Sequence, residues 1–279
     1  MHTAKRFIIV GGGIGGAATA LGLHRAGFDA VVYEQTKELR EIGAGIALWA
    51  NATHILKQLD LLEEAIQVSC PTTNYQFNSQ RGKELVNVPV DGFELPVLGI
   101  HRAELHQLLW KNLPQEKLFL GEKFKRFEHN EKQVWAYFAS GLSTEGDALI
   151  GADGLRSQVR AELWGDQPPI YRNFKTWRGL TNYVPSEYRP GYIQEFLGRG
   201  QGFGFMMLGK GKMYWYAAAC AAEAQPDAAI GRKKELENMY QDWFPAIPKL
   251  IAATNDADIL TTDLYDRPPT QPWSQQNIT

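Results

Sequence analysis

Cysteine is nearly absent: Cys70 and Cys220 are the only two in 279 residues, and they stand far apart. No metal-ligand spacing can be built from them. Two isolated thiols fit a reducing compartment, and both are expected as plain buried residues. Neither sign of charge dominates, with 29 Lys and Arg against 31 Asp and Glu and a formal net charge of -2. That balance speaks against a nucleic-acid binder and against an acidic solvating tail. No run approaches the roughly 20 apolar residues that a membrane helix needs, and the N-terminal stretch is too glycine-rich for a signal peptide. A soluble cytoplasmic protein is expected. The six histidines form no ligand cluster, and His101 and His106, five apart, do not share a helical face well. Neither GxSxG nor HExxH occurs, so hydrolase and metalloprotease readings have no residues to stand on.

What the sequence does have stands at its start: RFIIVGGGIGGAATALGLHRAGFDAVVYEQ, with five glycines in residues 11–16. Phe7 to Val10 reads as a buried strand. Ile14, Ala17, Ala18 and Leu21 recur at helical spacing over 14–26, and Ala30 to Tyr33 is a second apolar strand. Strand, glycine turn, helix and strand within about 30 residues make a βαβ unit. In that unit Gly11 permits the tight turn, Gly13 lets backbone approach a pyrophosphate, and Gly16 lets the helix close on the sheet. Ile14 and Gly15 open the helix, whose N-terminus offers N–H groups and a positive dipole end to phosphates. Glu34 ends the second strand about 20 residues on, where a carboxylate accepts from a ribose diol and repels a 2′-phosphate. The pattern points to the adenosine half of FAD or NAD.

Further along, NATHILKQLDLLEEAIQ (51–67) reads as one helix with Ile55, Leu56, Leu59, Leu62 and Ile66 on a face. Residues 71–98 suggest a small sheet. HRAELHQLLWKNLP reads as a helix stopped by Pro114, and 117–138 as strands with a turn at HNEK. Residues 170–220 are β-rich and aromatic, and 230–243 form a helix ended by Phe244-Pro245. LIGADGLRSQVR delivers Asp153 and Gly154 at a strand end, with Ser157 and Arg160 opening a helix. Its Asp can accept from a ribose or water, although an ordinary turn has the same residues.

Together these motifs resemble the single-component FAD-dependent monooxygenases, the aromatic-ring hydroxylases. The glycine fingerprint with Glu34 is similar to their FAD-ADP site. ELREIGAGIALWANA (38–52) resembles the stretch in which an arginine, here Arg40, reaches FAD, with Gly45 in the same stretch. IHRAELHQLL resembles their Arg-x-x-Leu segment and makes Arg102 a flavin contact. GADGLRSQVR resembles their Asp-Gly motif, which serves FAD and the incoming nicotinamide. YDRPPTQPW (265–273) is similar to the lead-in to their last motif. The chain reaches Thr279 where the strand before that Gly-Asp motif is expected. It is therefore read as truncated, with weakened FAD retention.

The resemblance implies an α/β fold: a Rossmann-like FAD/NAD(P)-binding layer interleaved with a β-rich substrate domain. The first comprises 1–70 and 100–164, with its C-terminal part missing, and the second 71–99 and 165–268. It implies FAD as cofactor, NAD(P)H as co-substrate, and O2 delivered through a flavin hydroperoxide to a small aromatic or ring-containing metabolite. Water must be excluded from such a site, which calls for an apolar pocket with few polar anchors. Strand alternation puts Tyr214 and Tyr216 of MYWYAAA on one face and Trp215 on the other. In TWRG, Trp177 and Arg178 point oppositely, and Arg178 can fix a carboxylate or enolate bidentately. Arg178, Tyr214 and Tyr216 are thus the candidate substrate-pocket residues. Epoxidation of an isoprenoid, by analogy with the carotenoid epoxidases that share these motifs, and a non-catalytic FAD-binding remnant stay open as alternatives. A nicotinamide-only dehydrogenase would leave the Asp-Gly and Arg-x-x-Leu stretches without a role.

Overall fold

The computed structural model describes residues 4–38 and 44–279. The chain runs β1 (Arg6–Val10), α1 (Ile14–Arg25), β2 (Asp29–Glu34), β3 (Gly45–Leu48), α2 (Ala50–Gln58), α3 (Leu62–Gln67), β4 (Ser69–Thr72), β5 (Asn74–Ser79), β6 (Glu84–Pro89), β7 (Val97–His101) and α4 (Arg102–Lys111). It continues through β8 (Leu118–Leu120), β9 (Phe124–His129), β10 (Val134–Phe138), β11 (Ser143–Gly146), β12 (Ala148–Gly151), α5 (Gln158–Trp164), β13 (Ile170–Thr181), β14 (Tyr192–Leu197), β15 (Gln201–Met207) and β16 (Met213–Cys220). Helices α6 (Arg232–Tyr240) and α7 (Ala246–Ala252) and strand β17 (Leu260–Asp266) follow. The α/β class with β-rich sheets is as the sequence implies.

Contacts divide the chain into two compact units. The first is Met1–Arg40, Leu105–Ile170 and Asp266–Thr279; the second is Glu41–Glu104 and Tyr171–Tyr265. In the first, four parallel strands lie in the order β12-β1-β2-β8. The apolar run of β1 is explained by burial on both faces, with Ile8 and Ile9 fully enclosed. Side chains of β10 (Val134, Ala136, Phe138) pack with Ile8, Val10, Val31, Tyr33 and Leu149, while α1 packs along β1 and β2. Residues 277–279 run parallel beside β12: Leu149 N–H donates to Asn277 O at 2.9 Å and Gly151 N–H to Thr279 O at 2.7 Å. Ser157 caps α5, its Oγ accepting from Arg160 N–H at 3.0 Å, as the sequence suggests.

The second unit holds a seven-stranded sheet ordered β17-β13-β16-β15-β14-β5-β6 and a three-stranded sheet ordered β3-β7-β4. Trp177, Phe196, Phe203, Phe205 and Trp215 point to one face of the larger sheet and form a core with Tyr240 of α6 and Ile247, Leu250 and Ile251 of α7. Tyr214, Met206 and Ile193 form a cluster on the opposite face, with Ala47, Tyr75, Leu180 and Tyr216 against it. The alternation inferred for MYWYAAA and TWRG is therefore observed.

Three expectations differ from the structure. Residues 44–70 and 100–104 group with the β-rich unit, because β3, β4 and β7 form one sheet there and Gly99 lies against the Met207 carbonyl. The single helix over 51–67 is two, because Asp60 takes a left-handed φ of 52° and ends α2; Ile55 is exposed, and Thr53 is buried in its place. The small sheet over 71–98 is split, since β5 and β6 extend the seven-stranded sheet while β4 and β7 belong to the other. Of the cysteines, Cys70 is half-buried, with its thiol pushed up by burial, and Cys220 is exposed. Helix α7, after Pro245, was not anticipated.

Gly15 and Gly16 separate two glycine roles. A Cβ at Gly16 would lie 1.9 Å from Gly11 O, whereas one at Gly15 meets nothing within 4 Å. Gly16→Ala should destabilise the fold by about 1–3 kcal/mol, as overpacking does. Gly15→Ala should leave it unchanged or up to about 1 kcal/mol more stable. Urea unfolding of both variants tests this; equal midpoints would contradict it.

Candidate active site

Strand β1 is central in its sheet, and the chain leaves it toward β2 on one side while β12 lies on the other. The C-terminal ends of the three strands meet there, where open α/β sheets bind ligands. A cleft of about 780 Å³ opens at that point. Gly11, Gly13, Glu34, Asp153 and Gly154, five of the residues singled out from sequence, line it together. The two motifs touch directly. Gly11 takes φ +105°, and a Cβ on it would stand 2.4 Å from Ala152 O; Ala152 N–H donates to Val10 O at 2.7 Å.

The Glu34 carboxylate closes the glycine turn. Gly12 N–H donates to its Oε2 at 2.6 Å and Thr36 N–H to its Oε1 at 2.8 Å. Asp153 works similarly at α5: its Oδ2 accepts from Gln158 N–H at 2.7 Å and Val159 N–H at 3.2 Å. Its Oδ1 is buried and has no partner among the described residues. Buried oxygens seldom remain unpaired, so this atom calls for a donor from outside the protein. Gly13 and Gly15 supply open space where a Cβ would project. Lys123, Lys125 and Arg156 line the cleft together with Glu34, Glu122 and Asp153, so it offers cationic as well as anionic groups to a ligand.

Two residues at the turn were not legible as functional. His106 Nε2 lies 2.6 Å and Trp110 Nε1 2.7 Å from Gly12 O. They stand at i and i+4 on α4, with ring centroids 4.8 Å apart and planes at 71°. The i, i+4 pairing of two ring N–H groups was the available signal.

In the second unit, Gly45 lies against the Tyr214 ring, 2.5 Å from an added Cβ to its Cδ1. Tyr214 is buried, its phenol pushed up to about 12 by that burial. Arg178 faces Tyr216 across β13 and β16, and its guanidinium donates to Thr262 Oγ1. Across β15 the residue opposite Tyr216 is Gly204, and opposite that on β14 is Glu195. With no side chain at Gly204, the Tyr216 hydroxyl reaches the Glu195 carboxylate, which also accepts from Tyr75 OH at 2.7 Å. Glu195 and Tyr75 were not singled out from sequence. Arg102 opens α4 with an exposed side chain, its N–H donating to Ala44 O at 2.9 Å, and belongs to the second unit with Gly45. Arg40 lies outside the described residues.

A family model described as "FAD binding domain" matches residues 5–242. Aurachin C monooxygenase/isomerase from Stigmatella aurantiaca is 33% identical over 279 residues, covering 99% of this chain and 72% of that protein. The chain belongs to the FAD-dependent monooxygenases. Zeaxanthin epoxidase from Prunus armeniaca is 32% identical over 290 residues; the match takes in 98% of this chain and 44% of the epoxidase. This flavin monooxygenase chain thus spans less than half the length of that relative. Among solved structures, Klebsiella pneumoniae HpxO complexed with FAD and uric acid has the same fold, with a TM-score of 0.91 at 23% identity over 98% of this chain and 71% of that one. The residues present fit FAD: an open glycine cradle at a helix N-terminus, cationic side chains, and an orphaned Asp153 oxygen in one cleft. Among the described residues no three His, Cys, Asp or Glu group as metal ligands, and no helix is long and apolar enough to cross a membrane.

Glu195 generates a pH prediction. Burial raises its pKa, opposed in part by the hydrogen bond from Tyr75. A carboxyl whose folded pKa lies above its unfolded value binds protons better in the native state. Its contribution to stability therefore falls as pH rises from the ordinary carboxylate range through the raised value. Tyr75 and Tyr216 donate to it, and Arg178 stands beyond Tyr216 in the same row. The stability of Glu195→Gln relative to the unsubstituted protein should rise from acidic to neutral pH. Urea unfolding at several pH values reads this, and a flat or falling difference would contradict it.

Proposed function

We propose that this protein is an NAD(P)H-dependent flavin monooxygenase that hydroxylates a small aromatic or ring-containing metabolite. The reaction takes two electrons from NAD(P)H, places one atom of O2 on the substrate and releases the other as water. FAD, when bound, supplies the redox chemistry between the nicotinamide and O2. The observation that carries the reading is the single cleft shared by the glycine fingerprint, Glu34 and Asp153. Gly13, Ile14, Gly15 and Gly16 would present backbone N–H groups to the pyrophosphate, Gly11, whose own N–H donates to Tyr33 O at 2.8 Å, would shape the turn beneath it, and Glu34 would hold the adenosine ribose through lone pairs not used by Gly12 and Thr36. Asp153 and Gly154 would serve the flavin and the incoming nicotinamide. Arg40, Gly45 and Arg102 are assigned to the flavin by the family's motifs.

For the substrate we assign the face carrying Arg178, Tyr214 and Tyr216. Arg178 is half-buried beside Tyr216 and suits a carboxylate, enolate or carbonyl oxygen. Tyr214, packed on Gly45, contributes mainly shape, and the apolar side chains around it would help to exclude water. A cytoplasmic location is part of the same reading, resting on two cysteines that form no disulfide.

A second reading, epoxidation of an isoprenoid-like double bond, is favoured by the zeaxanthin epoxidase relatives. Incubation with NADPH or NADH, labelled O2 and panels of phenolic, heteroaromatic and isoprenoid compounds separates the two by product mass and position of the label. The hydroxylase reading expects one labelled oxygen on a ring carbon and substrate-stimulated NAD(P)H oxidation. A labelled epoxide would favour the second reading, and label entering no compound would contradict both.

Asp153→Ala should lower FAD occupancy and slow flavin bleaching by NAD(P)H. It should also cost about 0.5–2 kcal/mol of stability through loss of the hydrogen bonds that Asp153 accepts from Gln158 and Val159 in the first turn of α5, the Ser157 cap remaining. Stopped-flow absorbance measures the bleaching. A normal rate at normal occupancy would remove Asp153 from both roles.

A further inference from the structure

Three glycines in sequence, Gly11 to Gly13, give the cofactor loop unusual torsional freedom. In such a run a peptide plane can turn over with little steric cost. The peptide joining Gly12 and Gly13 is nevertheless fixed. Its carbonyl oxygen accepts from two rings, His106 Nε2–H at 2.6 Å and Trp110 Nε1–H at 2.7 Å. The imidazole must carry its proton on Nε2 in this bond, because a carbonyl only accepts. The preceding peptide is fixed as well, since Gly12 N–H donates to Glu34 Oε2 at 2.6 Å. Trp110 is 7% exposed, and His106 packs on its ring, so neither donor is free to wander.

In a planar trans peptide the C=O and the following N–H point in opposite directions. Holding the Gly12 carbonyl toward α4 therefore directs the Gly13 N–H away from α4. Gly13 lines the cleft, and a Cβ placed on it meets open space.

We propose that His106 and Trp110 are positioning residues for cofactor binding, which pin the Gly12 carbonyl and so aim the Gly13 N–H at the diphosphate. The proposal rests on the reading of this cleft as the FAD site. The two rings touch no cofactor atom in this scheme; they act through one peptide plane. Their effect is confined to the diphosphate and does not extend to the adenosine end, which Glu34 serves.

The test is the ratio of ADP to adenosine affinity, measured by calorimetry on the 279-residue chain. His106→Phe and Trp110→Phe each remove one donor and keep an aromatic ring. Each should lower the ratio about fivefold, the worth of one hydrogen bond, with adenosine affinity little changed. His106→Gln, which restores an N–H donor, should recover the ratio to within about twofold of the unsubstituted chain. A purely structural role would weaken ADP and adenosine in parallel, and that result, or an unchanged ratio, would overturn the proposal. If the unsubstituted chain does not prefer ADP to adenosine, the flavin reading of the cleft fails and the proposal falls with it.

Discussion

The approach of Gly16 to Gly11 is the constraint on which the rest of the first unit depends. No side chain fits at either position: a Cβ at Gly16 would sit on Gly11 O, and one at Gly11 would sit on Ala152 O. Only this absence lets α1 start hard against the end of β1 while β12 passes on the other side. The positive end of α1, the Glu34 carboxylate and the Asp153 carboxylate then face one cleft. Glu34 contributes twice, since the atoms that suit a ribose also hold Gly12 and Thr36.

Glycine has a related use in the β-rich unit, as a seat for aromatic rings. Tyr214 lies over Gly45, Trp215 over Gly179 and Tyr216 over Gly204. Successive residues of one strand thus reach opposite faces: Trp215 and Tyr216 lie over glycines of the neighbouring strands β13 and β15, and Tyr214 over a glycine of β3 in the other sheet. Trp215 closes the core beneath α6 and α7 with a hydrogen bond from its Nε1 to Thr254 Oγ1 at 2.9 Å. Tyr216 crosses β15 to meet Glu195 and forms with Arg178 a polar row on an otherwise apolar face. Such a face suits an enzyme that must orient a mostly apolar ring by a few polar groups.

Features set by local chemistry were legible in the sequence. The βαβ unit, the end of β2 at Glu34, the Ser157 cap and the alternation about Trp215 each follow from a short stretch of residues. What was not legible depends on chain segments meeting. The break at Asp60 interrupts an apolar pattern that continues past it. The regrouping of 44–70 follows from pairing between β3, β4 and β7, which no spacing along the chain announces. His106 read as an unremarkable helix residue because its partner, the Gly12 carbonyl, is 94 residues away. Glu195 read as a strand carboxylate because Tyr75 and Tyr216 reach it from other strands.

The central claim is that the glycine cradle holds the flavin dinucleotide, and Gly13→Val tests it most directly. The added side chain meets no protein atom near its Cβ and projects into the cleft. FAD titration followed by quenching of flavin fluorescence, paired with urea unfolding of the apoprotein, gives both readouts. The account predicts loss of FAD binding by at least about tenfold, more than 1.4 kcal/mol, in an apoprotein that still unfolds cooperatively and loses no more than about 1 kcal/mol of stability from replacing the N-cap glycine of α1. Unchanged FAD affinity in a folded Gly13→Val protein would contradict it.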